Sequence, residues 1–208
     1  MILRLSHEYA GELVLLTTGP LTNISLALQK DPSLVKRICK VVIMGGAVFT
    51  GNVSAVAEAN IYNDPEAARI VFHSGMDITL VGLDVTHKVY FESEDLKDLM
   101  KISNRRSEFL LKIINFISNA YQRLTGWNRC VLHDPLAAGV CLFPDLVLSE
   151  KYYVDVELKG ELTRGMTVVD RRRHNSIGAE NIHLAVEVDA KRFKTELIKV
   201  LVSWVTEV

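Results

Sequence analysis

The chain has 208 residues, of which 49% are hydrophobic and 24% charged, and its formal net charge at pH 7 is -1. This balance argues against a disordered chain and a general nucleic-acid surface, so we expect no nucleic-acid partner. A chain of this length buries a substantial core, and residues 1–208 are predicted to form one domain. No apolar run is long enough to span a membrane and the N-terminus lacks a signal-peptide layout. We therefore predict a cytoplasmic protein without a membrane partner.

Strand-like and helix-like segments alternate along the chain, as a largely parallel sheet requires. In chain order, the predicted elements are a helix over 1–10, a strand over 12–18, a helix over 21–30, a strand over 40–44, a helix that Asp64 opens and Gly75 ends, a strand over 77–83, helices around 93–102 and 107–124, an Ala-rich helix from Asp134 to near Leu142, strands over 152–158, 166–170 and 183–188, and a closing helix over 190–205. The predicted fold is α/β, an open, mostly parallel sheet with helices on both faces and a Rossmann-like core.

The helix predicted at 1–10 precedes the first predicted strand. A helix in that place normally forms the crossover from an earlier parallel strand. Two alternatives follow: the helix packs in some other manner, or the chain begins partway through a larger fold and lacks its first βα units.

Two Asp-Pro pairs indicate helix starts. Asp64 is a good capping residue, and Pro65 suits the first turn of a helix. The pair Asp134-Pro135 repeats this pattern, so the residues alone favour a cap over a metal ligand for Asp134.

The cysteines and the basic residues indicate no special chemistry. The three cysteines, Cys39, Cys130 and Cys141, are an odd number without C-x-x-C spacing, so neither a disulfide framework nor a zinc site follows. One basic run is interpreted as a solvated loop, with a phosphate- or polyanion-binding role as the alternative. That run consists of Arg171, Arg172, Arg173 and His174.

A glycine pair, Gly45-Gly46, follows the strand predicted at 40–44, and three polar side chains come soon after it. Glycine there lets the backbone turn sharply and approach a ligand. Asn52, Glu58 and Asn60 offer hydrogen-bonding groups that suit a sugar, and loops at the carboxyl ends of strands bind ligands in open α/β sheets. The stretch predicts a sugar-type pocket. The alternatives are a turn pair for Asn52 and loop capping or bracing for Glu58 and Asn60.

Other candidate residues also have structural interpretations. Asp84 and His87 follow the strand predicted at 77–83 and are interpreted as loop-bracing. Tyr121 and Trp127 are predicted to pack rather than to contact a ligand. His133 alone is typical of an ordinary, partly buried histidine.

Six short motifs occur in one order and together resemble the inosine-uridine-preferring nucleoside hydrolase family. They are Thr18-Gly19-Pro20-Leu21-Thr22-Asn23, Val42-Ile43-Met44-Gly45-Gly46, Gly51-Asn52, Ala57-Glu58-Ala59-Asn60, Asn63-Asp64-Pro65-Glu66-Ala67-Ala68 and His133-Asp134-Pro135. Each motif alone is weak, but the six in register extend the resemblance over nearly the whole chain.

The resemblance implies hydrolysis of the N-glycosidic bond of a purine or pyrimidine ribonucleoside, a tightly bound calcium ion and a homo-oligomer. Asp134 matches a calcium-binding aspartate, and Thr18 matches the residue whose backbone carbonyl also binds the ion. His133 matches the histidine that protonates the leaving base in many members. Tyr121 and Trp127 lie where the family's long helix and the following loop cover the base.

The resemblance also assigns the substrate-binding residues. Asn52, Glu58 and Asn60 match side chains that hold the ribose hydroxyls, and Met44 matches a residue lining the ribose pocket. Groups that grip the ribose hold it in the geometry that favours an oxocarbenium-like transition state.

One family feature has no counterpart in this sequence. The Asp-rich motif D-x-D-x-x-x-D-D supplies most calcium carboxylates and the water-activating base of the family, and no stretch here has that form. With Asp134 as the single carboxylate ligand, calcium would lack several of the oxygen ligands it requires. We therefore expect weak or no calcium binding and little catalysis by this chain by itself. The nearest acidic cluster has helical spacing and is interpreted as a solvated face; it consists of Glu92, Glu94, Asp95 and Asp98.

Three hypotheses follow for the function. The first, which we favour, is a shortened nucleoside hydrolase. The second is a non-catalytic module that binds nucleoside or ribose, and the third is an assembly subunit whose missing carboxylates come from another chain. An open parallel sheet edge also predicts self-association.

Overall fold

The computed structural model describes residues 1–172 and 176–207. Within these residues, the strands are β1 (Leu13–Thr17), β2 (Ile38–Met44), β3 (Ile78–Val81), β4 (Tyr90–Phe91), β5 (Cys130–Val131), β6 (Val147–Val156), β7 (Thr167–Asp170) and β8 (Ile182–Val188). The α-helices are α1 (Ile2–Glu8), α2 (Thr22–Lys30), α3 (Ala59–Asn63), α4 (Pro65–Phe72), α5 (Leu83–Thr86), α6 (Lys97–Met100), α7 (Arg105–Thr125), α8 (His133–Leu142) and α9 (Ala190–Thr206). The predicted alternation of strands and helices is confirmed.

The central sheet has six strands in the order β1-β2-β3-β8-β6-β7. Strands β1, β2, β3 and β8 pair in parallel, while β6 pairs antiparallel with both β8 and β7. Only β6 therefore runs against the others, which confirms an open, mostly parallel sheet. The carboxyl ends of β1, β2 and β3 meet at one edge, because Thr17 pairs with Ile43 and Met44 pairs with Val81.

Helices cover both faces of this sheet, as predicted. On β2, Val41 and Ile43 join the core that α2 and α4 cover, while Val42 and Met44 join the core on the α8 and α9 side. All four side chains are buried. Each contributes roughly 1.5–3 kcal/mol by leaving water, so this strand is held from both sides.

Helix α1 lies within the predicted range 1–10. Its Ile2 and Leu3 pack against the core that α2 covers. Its Ser6 is fully buried and its Oγ accepts a hydrogen bond of 3.1 Å from Arg37 Nε. The helix therefore packs on the same face as α2, through its own apolar residues.

The two predicted caps differ in outcome. Asp64 caps α4, since its side chain accepts a hydrogen bond of 3.0 Å from Ala67 N. The cap predicted at Asp134 is wrong: α8 begins one residue earlier, its N-cap is Leu132, and no side chain caps it. Asp134 lies in the first turn, where its charge complements the helix dipole.

The predictions over 152–158 and 93–102 differ from the structure in their bounds, and one pair of short strands was not predicted. Strand β6 begins five residues before the predicted 152, because its first half pairs with β8 and its second half pairs with β7. Around 93–102 only α6, a single turn, is helical, since the Asp95 carboxylate accepts from Glu92 N and forms a turn before it. The pair β4–β5 was not predicted, because a two-residue strand has no periodicity to detect.

The acidic cluster is only partly a solvated face. Glu94 and Asp98 are exposed, but Lys194 Nζ of α9 lies 2.7 Å from Asp95 and 3.8 Å from Glu92. The interpretation as a solvated face is therefore wrong for Asp95, which joins α9 to this segment through an ion pair.

Part of the basic run is described by the structure. Arg172 pairs with Asp170 at 2.7 Å, and the Arg171 guanidinium lies 4.6 Å from the centre of the Phe49 ring. Arg173 and His174 lie outside the described residues. None of the helices in the described part of the chain is long and apolar enough to cross a membrane.

Candidate functional site

The glycine pair after β2 forms a close backbone contact between two strand ends. Gly46 has a φ of 79°, and a Cβ there would lie 2.9 Å from Thr167 Oγ1. The Gly46 carbonyl accepts a hydrogen bond of 2.9 Å from Leu83 N, and a Cβ on Gly82 would lie 2.9 Å from the same oxygen. The chain leaves β2 and β3 through glycines because a larger residue does not fit between the two backbones.

Glu58 braces the loop that follows this glycine pair. Its Oε2 accepts hydrogen bonds of 3.0 Å from Gly46 N and 3.2 Å from Ile61 N, and its Oε1 accepts one of 2.9 Å from Asn60 N. The side chain caps α3, and the residue is only 2% exposed. Burial raises the pKa of this carboxyl despite the three backbone donors, and the nearby charge of Asp134 also raises it. Capping and bracing, which the sequence left open as an alternative for Glu58, are therefore confirmed, and ribose binding stays a prediction.

The two predicted asparagines lie beside Glu58. Asn60 Nδ2 donates a hydrogen bond of 3.0 Å to the Met44 carbonyl, and Asn52 Oδ1 accepts one of 2.9 Å from Ala59 N. The structure thus brings Asn52, Glu58, Asn60 and Met44 together in one corner. Asn52 Nδ2 and Asn60 Oδ1 have no hydrogen-bond partner within residues 1–172 and 176–207. These two atoms remain available to a ligand.

The two predicted calcium contacts lie at the same edge of the sheet. Thr18 directly follows β1, where the parallel register places it next to Met44, and α8, which carries Asp134, packs against β1 and β2. Burial raises the pKa of the Asp134 carboxyl. The neighbouring Thr17 Oγ1 is buried without a hydrogen-bond partner in the described part of the chain.

These residues do not by themselves form a calcium site. Calcium takes six to eight oxygen ligands, several of them carboxylates. Within the described ranges, no group of three or more His, Cys, Asp or Glu residues is arranged to hold a metal ion. Asp134 and the Thr18 carbonyl can supply only part of such a shell.

His133, the first residue of α8, lies in a group of polar and aromatic side chains from three helices and a loop. Its Nδ1 is 2.7 Å from Thr86 Oγ1, and its Nε2 forms a hydrogen bond with the Tyr121 hydroxyl. Its ring centre lies 5.5 Å from that of His87, whose ring lies 5.6 Å from that of Trp127. We call these five residues the histidine cluster.

The electrostatics of the histidine cluster favour an uncharged His133. Burial, and secondly the nearby His87, lower the pKa of His133 to about 4. Burial also lowers the pKa of His87 and raises that of the Tyr121 hydroxyl. These shifts favour the uncharged form of all three groups, which interact through hydrogen bonds and ring contacts.

Asp84 and His87, which were both interpreted as loop-bracing, have different roles in the structure. Asp84 accepts hydrogen bonds of 2.8 Å from Val48 N and 3.2 Å from Phe49 N, so its loop-bracing role is confirmed. The same interpretation is wrong for His87, which packs between His133 and Trp127 because the β4–β5 pair brings their segments together.

Sequence reasoning missed Thr86 altogether. It lies in α5, 47 residues before His133, and its residue type has no motif around it that indicates a contact with a histidine. Only the packing of α5 beside α8 places its hydroxyl on the imidazole.

The fold and this site define an α/β protein with a polar corner and a histidine cluster at the carboxyl edge of a mostly parallel sheet. The sequence profile of a family described as inosine-uridine preferring nucleoside hydrolase matches residues 1–195. The chain belongs to this family, and the resemblance inferred from the six motifs is confirmed.

Individual relatives agree with this assignment. The chain is 39% identical over 189 residues to an inosine-uridine preferring nucleoside hydrolase from Leishmania major, covering 91% of this chain and 59% of the relative. It is 41% identical over 165 residues to a probable uridine nucleosidase 1 from Oryza sativa subsp. japonica, covering 79% of this chain and 51% of the relative.

A solved structure of the same class is also similar. A purine-preferring ribonucleoside hydrolase from Gardnerella vaginalis matches with a TM-score of 0.89 and 37% identity, covering 98% of this chain and 65% of that chain. The chain thus spans between 51% and 59% of the length of the two curated relatives above.

Proposed function

We propose that this chain forms the nucleoside-binding part of a ribonucleoside N-ribohydrolase. Such an enzyme adds water across the N-glycosidic bond, so that the ribose takes the hydroxyl and the base takes the hydrogen. The observation that carries the proposal is the convergence of the corner around Glu58 and the histidine cluster on one edge of the sheet. A ribose and a base need two such adjacent surfaces, one polar and one aromatic.

The corner is proposed to bind the ribose. Asn52 Nδ2 is a free donor and Asn60 Oδ1 a free acceptor in the described residues, which suits hydroxyl groups that both donate and accept. Glu58 accepts hydrogen bonds from backbone amides of the corner, including that of Asn60. The carboxylate lone pairs that these amides do not use can accept a hydrogen bond from a ribose hydroxyl. Met44 supplies the apolar floor.

The histidine cluster is proposed to bind the base and to assist its departure. The Trp127 and His87 rings offer stacking surfaces, and His133 and Tyr121 offer polar hydrogens at the same place. A hydrogen-bond donor beside the departing base stabilises the negative charge that develops on it.

We propose calcium contacts for Asp134 and the Thr18 carbonyl, with the remaining ligands outside the described residues. A single carboxylate supports the alternative that this chain alone binds nucleosides without hydrolysing them. Under that alternative, hydrolysis begins only when another segment or subunit supplies further carboxylates to this edge.

Calorimetric titration with a ribonucleoside, with and without calcium, tests the binding role. We expect Asn60→Ala to weaken binding by roughly tenfold, because one hydrogen-bond partner of the ribose is lost. Asn63→Ala is the matched control, since Asn63 is an exposed residue of α3 whose amide contacts only the backbone of its own helix among the described residues. If the wild-type chain binds no nucleoside at all, the proposed function is wrong.

Hydrolysis of p-nitrophenyl riboside, with calcium and with a chelator, tests catalysis separately. That leaving group needs little protonation, so the assay does not depend on His133. We expect no turnover by this chain alone. If the chain shows calcium-dependent turnover and Asp134→Ala abolishes it, the calcium site is complete in the assayed protein. The non-catalytic alternative would then be wrong.

We also propose that the chain self-associates through β1, which is an end strand of the sheet formed by residues 1–172 and 176–207. Val14 and Leu16 of this strand are each 42% exposed. Leu16→Lys is expected to lower the sedimentation coefficient by dissociating the assembly, because a charge on an edge strand opposes pairing. Leu26→Lys, at an exposed leucine of α2, is the control. A wild-type chain that sediments as a monomer at all concentrations would exclude this assembly.

A further inference from the structure

We infer that the Thr86 hydroxyl holds the imidazole of His133 in the tautomer that carries its hydrogen on Nε2. Thr86 is the last residue of α5 and is completely buried. Its Oγ1 lies 2.7 Å from His133 Nδ1, and this is the only hydrogen bond of the hydroxyl within residues 1–172 and 176–207. Thr86 is thus a positioning residue for His133.

The direction of this hydrogen bond follows from the partners that each atom has. An uncharged imidazole has one donor nitrogen and one acceptor nitrogen. If Nδ1 carried the hydrogen, Nδ1 would donate to Thr86 Oγ1, and the hydroxyl hydrogen of Thr86 would need another acceptor. A buried donor without an acceptor is strongly unfavourable, so this tautomer is disfavoured unless such an acceptor exists.

Within the described residues, the backbone around Thr86 does not serve as that acceptor, since His133 Nδ1 is the one hydrogen-bond partner of Thr86 Oγ1 there. A helical threonine commonly donates to the carbonyl four residues earlier, which here belongs to Gly82. That oxygen already accepts hydrogen bonds of 3.1 Å from Thr86 N and 3.2 Å from Val85 N. The carbonyl three residues earlier, of Leu83, accepts one of 3.0 Å from His87 N. The hydroxyl hydrogen therefore points to His133 Nδ1, which accepts it.

The other side of the ring is consistent with this assignment. With Nδ1 as the acceptor, Nε2 carries the hydrogen and donates it to the Tyr121 hydroxyl oxygen. The phenolic hydrogen of Tyr121 is then directed away from His133. If the proposed function is correct, the consequence for catalysis is that the hydrogen available to a departing base is the phenolic hydrogen of Tyr121, whose oxygen accepts from Nε2.

Long-range ¹H–¹⁵N correlation spectra of the ligand-free, ¹⁵N-histidine-labelled chain test this inference. The His133 signals are identified by their loss in His133→Gln. We expect the wild-type ring to show an unprotonated Nδ1 and a protonated Nε2. A protonated Nδ1 in the wild-type ring would overturn the inference.

Two substitutions at Thr86 distinguish the effect of the hydroxyl group from the effect of the branched side-chain shape. Thr86→Ser keeps the hydroxyl and is expected to keep the wild-type pattern, while Thr86→Val keeps the branched shape and is expected to lose the single-tautomer pattern. Thr79→Val is the control, because Thr79 is another buried threonine, in β3, and does not contact His133. An unchanged pattern in Thr86→Val would contradict the inference.

These spectra need no substrate, so the result stands whether or not the chain hydrolyses nucleosides. If the spectra show a protonated Nε2 but the chain binds no nucleoside in the titration, the proposed function is rejected and the tautomer assignment stands. If the chain binds nucleoside but the spectra show a protonated Nδ1, the Nε2-protonated tautomer is rejected and the proposed function stands.

Discussion

The corner around Glu58 and the histidine cluster lie at the same sheet edge but are held in different ways. In the corner, carboxylate and amide side chains bind backbone groups no more than 16 residues away in the chain. In the histidine cluster, side chains bind one another across α5, α7 and α8, with Thr86 47 residues from His133. The corner is therefore part of the local backbone structure, whereas the cluster depends on how separate elements pack.

This difference predicts that changes in the corner affect folding first, and that changes in the cluster affect chemistry first. Removing a side chain that satisfies backbone amides leaves buried donors without partners. Removing a side chain that contacts only other side chains leaves the backbone intact. The following predictions test this comparison, from the largest expected effect to the smallest.

Glu58→Ala is expected to lower the free energy of unfolding by about 3–5 kcal/mol, because three backbone amides lose their acceptor in a buried place. Urea denaturation followed by circular dichroism measures this effect. Glu66→Ala is the control, since Glu66 forms an exposed ion pair with Arg164 and is expected to matter far less. Equal stabilities of the two variants would contradict the structural role of Glu58.

Gly46→Ala is expected to destabilise the chain by more than Gly126→Ala. Both glycines have a φ of 79°, so each alanine variant loses about 1–2 kcal/mol from the left-handed backbone alone. Only Gly46 has a close neighbour, since a Cβ there would lie 2.9 Å from Thr167 Oγ1, whereas nothing lies within 4 Å of a Cβ at Gly126. Unfolding midpoints in urea measure the difference. Similar losses would mean that Thr167 moves aside freely.

The smallest effect concerns the thiol beside the histidine cluster. Cys130 of β5 is buried, and burial raises its pKa to about 11. The thiolate is the reactive form, so this thiol is expected to react very slowly with a disulfide reagent at pH 8 and faster as the pH approaches 11. Exposed Cys39 serves as the internal comparison. Mass spectrometry of labelled peptides measures both. Rapid labelling of Cys130 in the folded chain at pH 8 would show that the cluster opens readily.

Local sequence signals predicted the elements whose structure depends on nearby residues. The apolar run of β2 indicates a strand covered on both faces, and Asp64 before Pro65 indicates the start of α4. The glycine pair and Glu58 also lie close in the chain, so the corner could be predicted as a unit from its motifs. The same motifs were enough to identify the family.

Other features followed only from packing between distant segments. Asp134-Pro135 has the same local signal as Asp64-Pro65, yet α8 begins one residue earlier and its aspartate caps nothing. The pair β4–β5 is too short to leave a periodic pattern, although it brings the segment after α5 next to the segment before α8.

The sequence by itself determined the α/β alternation, the family and the residues of the corner, because each rests on periodicity, turn chemistry or motifs within short stretches. The tertiary structure alone decided that His87 packs on His133 and that Thr86 reaches its Nδ1. Those contacts join residues whose separation along the chain leaves no local pattern. Only the folding of α5, α7 and α8 onto one face of the sheet places them within hydrogen-bonding distance.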